Sequence, residues 1–160
     1  MRILHNCAGQ SIVELSLITP LLLVALYIPA DFGIAFFTAN ITQNAVREGA
    51  KVAASLPACD ESVAPCTPTS VSGATCPSTD SVVQAVCARI PAFLSNPTVS
   101  VTLSSSPPCM RSVTVQAVGQ YNFFFNQMLR LIGLPADDDM PITRTTGMRY
   151  QLQPIAPPCG

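Results

Sequence analysis

Charge is what this sequence has least of. Its 160 residues include 8 Lys or Arg and 9 Asp or Glu, 11% in all, against roughly 25% in an average soluble domain. A net charge of -1 and a pI near 5.6 provide no basic surface for a polyanion, which excludes nucleic acid as a partner. Histidine is almost as scarce. The single one, His5, precedes the long apolar run that begins at Ile12, so no Ser-His-Asp or Cys-His pair can form beyond that run. The sequence also lacks C-x2-C pairs, phosphate-binding glycine loops and internal repeats, which argues against a zinc knuckle or a nucleotide cradle. Disorder of the whole chain is excluded by its opposite composition, 49% hydrophobic with a mean hydropathy of +0.41, although 15 prolines mark long irregular stretches.

What is present is concentrated near the N-terminus. From Ile12 to Phe37 the chain reads IVELSLITPLLLVALYIPADFGIAFF, 26 residues interrupted by only two charges, Glu14 and Asp31. A helix of that length crosses a bilayer core. Pro20 and Pro29 would break a soluble helix, but membrane helices tolerate proline, so kinks are expected and not termination. Residues 10–37 are therefore read as the membrane span, with residues 1–9 before it. Small and apolar residues at Ile41, Ala45, Gly49, Val52, Ala53 and Leu56 continue one helical face outward, and Pro57 stops it. A helix from about Ser11 to Ser55 spans about 65–70 Å, with residues 38–56 as its extramembrane extension. Arg47 and Glu48 point differently around that extension, and each is expected to meet other groups, or solvent, instead of the other.

Six of the seven cysteines, Cys59, Cys66, Cys76, Cys87, Cys109 and Cys159, follow the apolar run. Such density among Pro, Ser and Thr suggests up to three disulfides in an oxidising compartment, with the connectivity left open. The N-terminus is accordingly placed in the cytoplasm and the head, residues 57–160, outside it.

Within that head, Ala58 to Thr79 reads as a stapled loop. Asp80 or Ser81 caps a short helix through Leu94, with Val82, Val83, Val86, Ile90 and Phe93 as its core stripe and Pro91 placed to end or kink it early. Alternation predicts strands at Thr98–Ser104 and from Ser112, the second extended by Tyr121 to Phe125, and a third over Ile142–Leu152. Between them, Phe125, Met128, Leu129 and Ile132 fit one face of a helix ended by Gly133 and Pro135. Tyr121, Phe123, Phe124 and Phe125 are expected to fill the core. Asp137-Asp138-Asp139 lacks the alternating acids and glycine of an EF-hand and reads as a solvated loop. The fold class is α+β: a long N-terminal helix, then a small head with an antiparallel sheet of about three strands and short helices.

Glu14 carries the functional argument. A carboxylate in a membrane helix is costly unless partnered, so it points to function unless it snorkels to the headgroups or is protonated. Asp31, near the outer boundary, can pair with a cation of a neighbouring helix or sit as an ordinary interfacial acid.

The string Gly9-Gln10-Ser11-Ile12-Val13-Glu14, a short leader and a glycine before an apolar helix with Glu at its fifth position, resembles the processing site of type IV prepilins and pseudopilins. Further on, Pro20-Leu21-Leu22-Leu23, Asp31-Phe32-Gly33 and Asn44-Ala45-Val46-Arg47-Glu48-Gly49-Ala50-Lys51 resemble the N-terminal signature of TadE-like pseudopilins of tight-adherence (Flp) pilus systems. Gly147-Met148-Arg149-Tyr150 is similar to that family's last strand. The resemblance implies cleavage between Gly9 and Gln10 by a prepilin peptidase, leaving an α-amine at the depth of Glu14 for compensation between or within subunits. It also implies a non-enzymatic minor subunit in the bacterial inner membrane, without a cofactor. Its expected partners are other pilins and pseudopilins, the peptidase, the inner-membrane assembly platform and lipid. Two rival readings stay open: an anchored extracytoplasmic binding domain that never enters a filament, and a secreted protein cleaved beyond Ala30.

Overall fold

A computed structural model describes residues 8–56, 70–104, 112–131, 133–135 and 139–149. The first element, α1 (Ala8–Ser55), is one helix of 48 residues, about 70 Å long at 1.5 Å per residue. It runs through Pro20 and Pro29 without ending. Ser16 and Thr19 fold their hydroxyls onto the carbonyls of Val13 (2.8 Å) and Leu15 (2.6 Å), which satisfies these polar groups inside an apolar stretch.

Side-chain exposure divides α1 in two. Every residue from 11 to 30 is exposed, and burial begins at Asp31. Beyond that point Ala35, Ala39, Ala45, Val46, Ala50, Ala53 and Ala54 are buried. The head thus reaches α1 inside the predicted span of residues 10–37, covering the inward face of its last two turns.

The head is a four-stranded antiparallel sheet in the order β1 (Val71–Thr75), β2 (Leu94–Ser104), β3 (Ser112–Asn122), β4 (Asp139–Arg149). A short α2 (Ser81–Cys87) lies between β1 and β2, and α3 (Phe124–Leu131) lies between β3 and β4. Asp80 caps α2, its Oδ1 accepting from the N–H groups of Val82 (2.9 Å) and Val83 (3.0 Å), as the sequence suggests.

Several boundaries differ from the sequence reading. The strand β1 falls inside the expected loop of residues 58–79, because five residues with two small side chains carry too little alternation to register as a strand. The predicted helix through Leu94 stops at Cys87. Pro91 lies just beyond it, and Leu94 opens β2 and pairs with Tyr121. Phe93 is consequently exposed and absent from the core. Phe124 starts α3 and does not extend β3, and Asp139 belongs to β4 and not to a loop. Tyr150 to Leu152, Asp137 and Asp138 lie outside the described residues.

Two buried clusters hold helix and sheet together. The larger packs Ala45, Val46, Ala50 and Ala53 of α1 against Val82, Val83 and Val86 of α2 and Val99, Val101, Val113 and Val115 of the sheet. Each fully buried valine stabilises the fold by roughly 1.5–3 kcal/mol. Gly49 permits the closest approach, since a Cβ there would overlap Val86 Cγ2. The smaller cluster, Ala35, Ala39, Leu94, Tyr121 and Ile142, closes the other end of the sheet against α1. There Gly119 leaves the space that the Leu94 side chain occupies.

Candidate functional site: the anchor helix and its joint with the head

The sequence singles out acids on α1, and their surroundings differ sharply. Glu14 is exposed on the uncovered section of the helix, 17 residues before Asp31, an axial distance of about 25 Å. Gly9 and Gln10 are helical in backbone, and their side chains lie outside the described residues.

Asp31 is 5% exposed and is held by the head of the same chain. Its Oδ1 accepts from the Tyr121 hydroxyl at 2.9 Å, and its Oδ2 accepts from the Phe125 N–H at 2.8 Å. The second bond places the carboxylate at the first turn of α3, where unpaired N–H groups and the helix dipole favour an anion. Aromatic contacts surround the joint: Phe32 with Phe123 at 5.3 Å, Tyr121 with Phe123 at 5.2 Å, and Tyr27 with Phe124 at 6.2 Å between ring centroids. Burial pushes the Tyr121 phenol up to about 12, with the Asp31 hydrogen bond and negative charge acting in the same direction. Within the chain, Asp31 is thus neither a bare interfacial acid nor without partners: both carboxylate oxygens are engaged by the head. Position in the sequence alone carried no sign of them, because Tyr121 and Phe125 lie 90 and 94 residues away.

Further out, Glu48 meets Lys51 at 3.6 Å and Arg89 at 3.5 Å, on a partly exposed surface where such pairs are worth little. Arg47 is exposed, and Glu48 finds partners other than Arg47, as the helical angles require. The outer part of α1 is also fastened to the last described strand. Gln43 Nε2 donates to Thr146 Oγ1 at 2.7 Å, and Arg144 Nε donates to the Ala39 carbonyl at 3.3 Å. Between that strand and Phe32–Ala39 runs an open groove of about 690 Å³, lined mainly by apolar side chains such as Phe36, Met140 and Ile142.

The helix that bears these acids is where a similarity to known proteins is found. Residues 9–51 match the model of the TadE-like protein family. The match takes in Gly9, Glu14, Asp31, Arg47 and Glu48, and it ends four residues before α1 does. No curated protein and no solved structure matches the chain. The matched segment contains a window of mean hydropathy 2.1 with no buried residue, and among the described residues α1 is the one helix long and apolar enough to cross a membrane. Its 20 uncovered residues, 11–30, measure about 30 Å, long enough to cross a bilayer's hydrocarbon core.

Of the cysteine candidates, Cys76 and Cys87 form a disulfide with a Cα–Cα distance of 5.6 Å, tying the residue after β1 to the last residue of α2. Cys59, Cys66, Cys109 and Cys159 lie outside the described residues. Among the described residues no cluster of His, Cys, Asp or Glu suits a metal ion.

Proposed function

We propose that this chain is a minor, pseudopilin-like subunit that takes part in assembling a tight-adherence (Flp-type) pilus. The observation that carries the reading is the coincidence of the TadE-like match with α1, whose bare N-terminal section includes an acid at the fifth position after Gly9. The membrane-embedded part extends from Gln10 to about Ala30, with the N-terminus cytoplasmic and the head on the periplasmic side. The Cys76–Cys87 disulfide supports that orientation, because such bonds persist in oxidising compartments.

In this reading a prepilin peptidase cuts between Gly9 and Gln10. The α-amine released at Gln10 and the Glu14 carboxylate then offset each other's desolvation as helices of neighbouring subunits pack, which sets register without catalysis. Arg47 and Glu48, on the outer part of α1, contribute to assembly contacts. The work is done by packing and anchoring, and no cofactor takes part.

N-terminal sequencing of the mature protein with and without the prepilin peptidase tests the first step. Peptidase-dependent loss of residues 1–9 is expected, whereas an N-terminus at Met1 in both strains would remove the processing step. Glu14→Ala is expected to leave the protein inserted and folded but unable to co-purify with the assembly platform or support piliation. Normal piliation by that variant favours an anchored binding domain that stays out of the filament.

A further inference from the structure

Seven large apolar side chains stand exposed on the described head, and six of them, Phe93, Phe124, Met128, Leu131, Leu134 and Met140, gather at one end of the sheet. The register shows why they converge. Leu94 pairs with Tyr121 and Tyr121 with Met140, so these three form the end row, with Phe93 immediately before it. The connection from Asn122 to Asp139, paired across β3 and β4, starts and finishes at that row and carries the other four. The seventh, Leu103, pairs with Val113 at the opposite end.

Helix α3 is amphipathic in an unusual way. At about 100° per residue, Phe124, Met128 and Leu131 share one face, Phe125 and Leu129 continue the apolar arc, and Asn126, Gln127 and Arg130 occupy the other side. Only part of that arc is covered. Phe125 and Leu129 are half-buried, while Phe124 is 55%, Met128 47% and Leu131 88% exposed. No residue of α3 is buried.

The same end of the head meets α1 at the edge of its lipid-facing section. Phe124 touches Tyr27, which lies within the bare 11–30 stretch, and the Phe125 N–H bonds Asp31, the first buried residue beyond it. The exposed apolar face of α3 is therefore continuous with the surface of the membrane anchor.

We infer that α3 forms a foot that lies in the head-side interface of the bilayer, with Phe124, Met128 and Leu131 among the upper acyl chains. This inference rests on α1 being the membrane anchor, as read above. An amphipathic helix in this position sits about 5–10 Å into the boundary between headgroups and chains. That depth agrees with contacts to the last turn of a 20-residue span. The occupant of the face is phospholipid, and the foot gives the head a second point of support beside α1, fixing how it stands on the membrane.

The chain contains no tryptophan, so single introduced tryptophans report without background. Leu131→Trp, Met128→Trp, Leu103→Trp and Leu22→Trp are placed in the full-length protein, one chain per phosphatidylcholine nanodisc, with bromines on the acyl chains of half the samples. Leu131→Trp and Met128→Trp are expected to emit at shorter wavelength than Leu103→Trp and to be quenched by bromolipid at least about twofold more. Having two positions on one face protects the test against a single variant that misfolds. Equal quenching of Leu131→Trp, Met128→Trp and Leu103→Trp by aqueous iodide, with Leu22→Trp still quenched by bromolipid, would overturn the foot and leave the anchor intact. Shielding of the two α3 positions from both quenchers would overturn it in favour of a protein contact. Failure of bromolipid to quench Leu22→Trp would remove the anchor itself, and the foot with it.

Discussion

The Tyr121 hydroxyl donates to the Asp31 carboxylate at 2.9 Å, joining the end of the third strand to the anchor helix at the level where that helix becomes covered. A buried carboxylate with two donors is stabilising as a set and costly when the set is broken. Tyr121→Phe leaves Asp31 with the Phe125 N–H alone and is expected to lower stability by about 1–3 kcal/mol. Asp31→Ala removes the acceptor for both donors and should cost at least as much as Tyr121→Phe. Thermal unfolding of both variants and their double mutant in detergent gives the coupling, and additive losses would show that the two residues act independently.

Alkaline pH should loosen the same joint. The phenol of Tyr121 is raised from its ordinary value of 10.0 to about 12, so on the alkaline side of 10 the unfolded chain releases a proton that the folded chain retains. Stability is expected to be unaffected by this group below pH 10, to fall between about 10 and 12, and to level off above. Ultraviolet titration should show a late component that is missing in Tyr121→Phe, and identical titration curves for the two proteins would count against the buried pair.

Gly49 is expected to tolerate little. A methyl at this position meets Val86 Cγ2 inside the main core, and overpacking of this kind typically costs about 1–3 kcal/mol. Gly49→Ala should therefore destabilise the head, and Val86→Ala in the same chain should restore part of the loss. Chemical denaturation of the single and double variants checks the sign, with no recovery in the double variant counting against a local clash.

Cys76→Ser with Cys87→Ser opens a loop whose ends lie 11 residues apart. The chain-entropy relation gives a loss of about 2–3 kcal/mol for a loop of this size. The loss should match the effect of reductant on the wild-type protein as far as this bond is concerned, and denaturation with and without reductant measures it. Insertion of α1 should be unchanged, because the bond joins the end of β1 to α2 and leaves the uncovered residues 11–30 as they are.

The sequence was most informative where a single property governs many residues in a row. The apolar run of α1, the Asp80 cap and the alternation of Val99, Val101, Val113 and Val115 each state their structure locally, and the signature around Glu14 falls within the segment that matches the TadE-like model. What escaped was decided by contacts between distant residues. Leu94 looks like the end of a helical stripe until Tyr121 is seen opposite it, and β1 exists because Val71 and Ala74 pair with Val101 and Val99. Asp31 reads as a membrane-edge acid from its own neighbours. Only its meeting with Tyr121 and Phe125 turns it into the joint of the molecule. The aromatic run from Tyr121 to Phe125 was the one available hint, but it does not say which residues point inward.

The bonds from Gln43 and Arg144 that fasten α1 to the last described strand span 103 and 105 positions along the chain. Contacts so distant in sequence form late, after the loops between them have closed. During synthesis the anchor emerges first and can enter the bilayer while Ala35, Ala39 and Ala45 are still bare. The face of α1 that the sheet covers is thus made before any strand, and the sheet is completed against it.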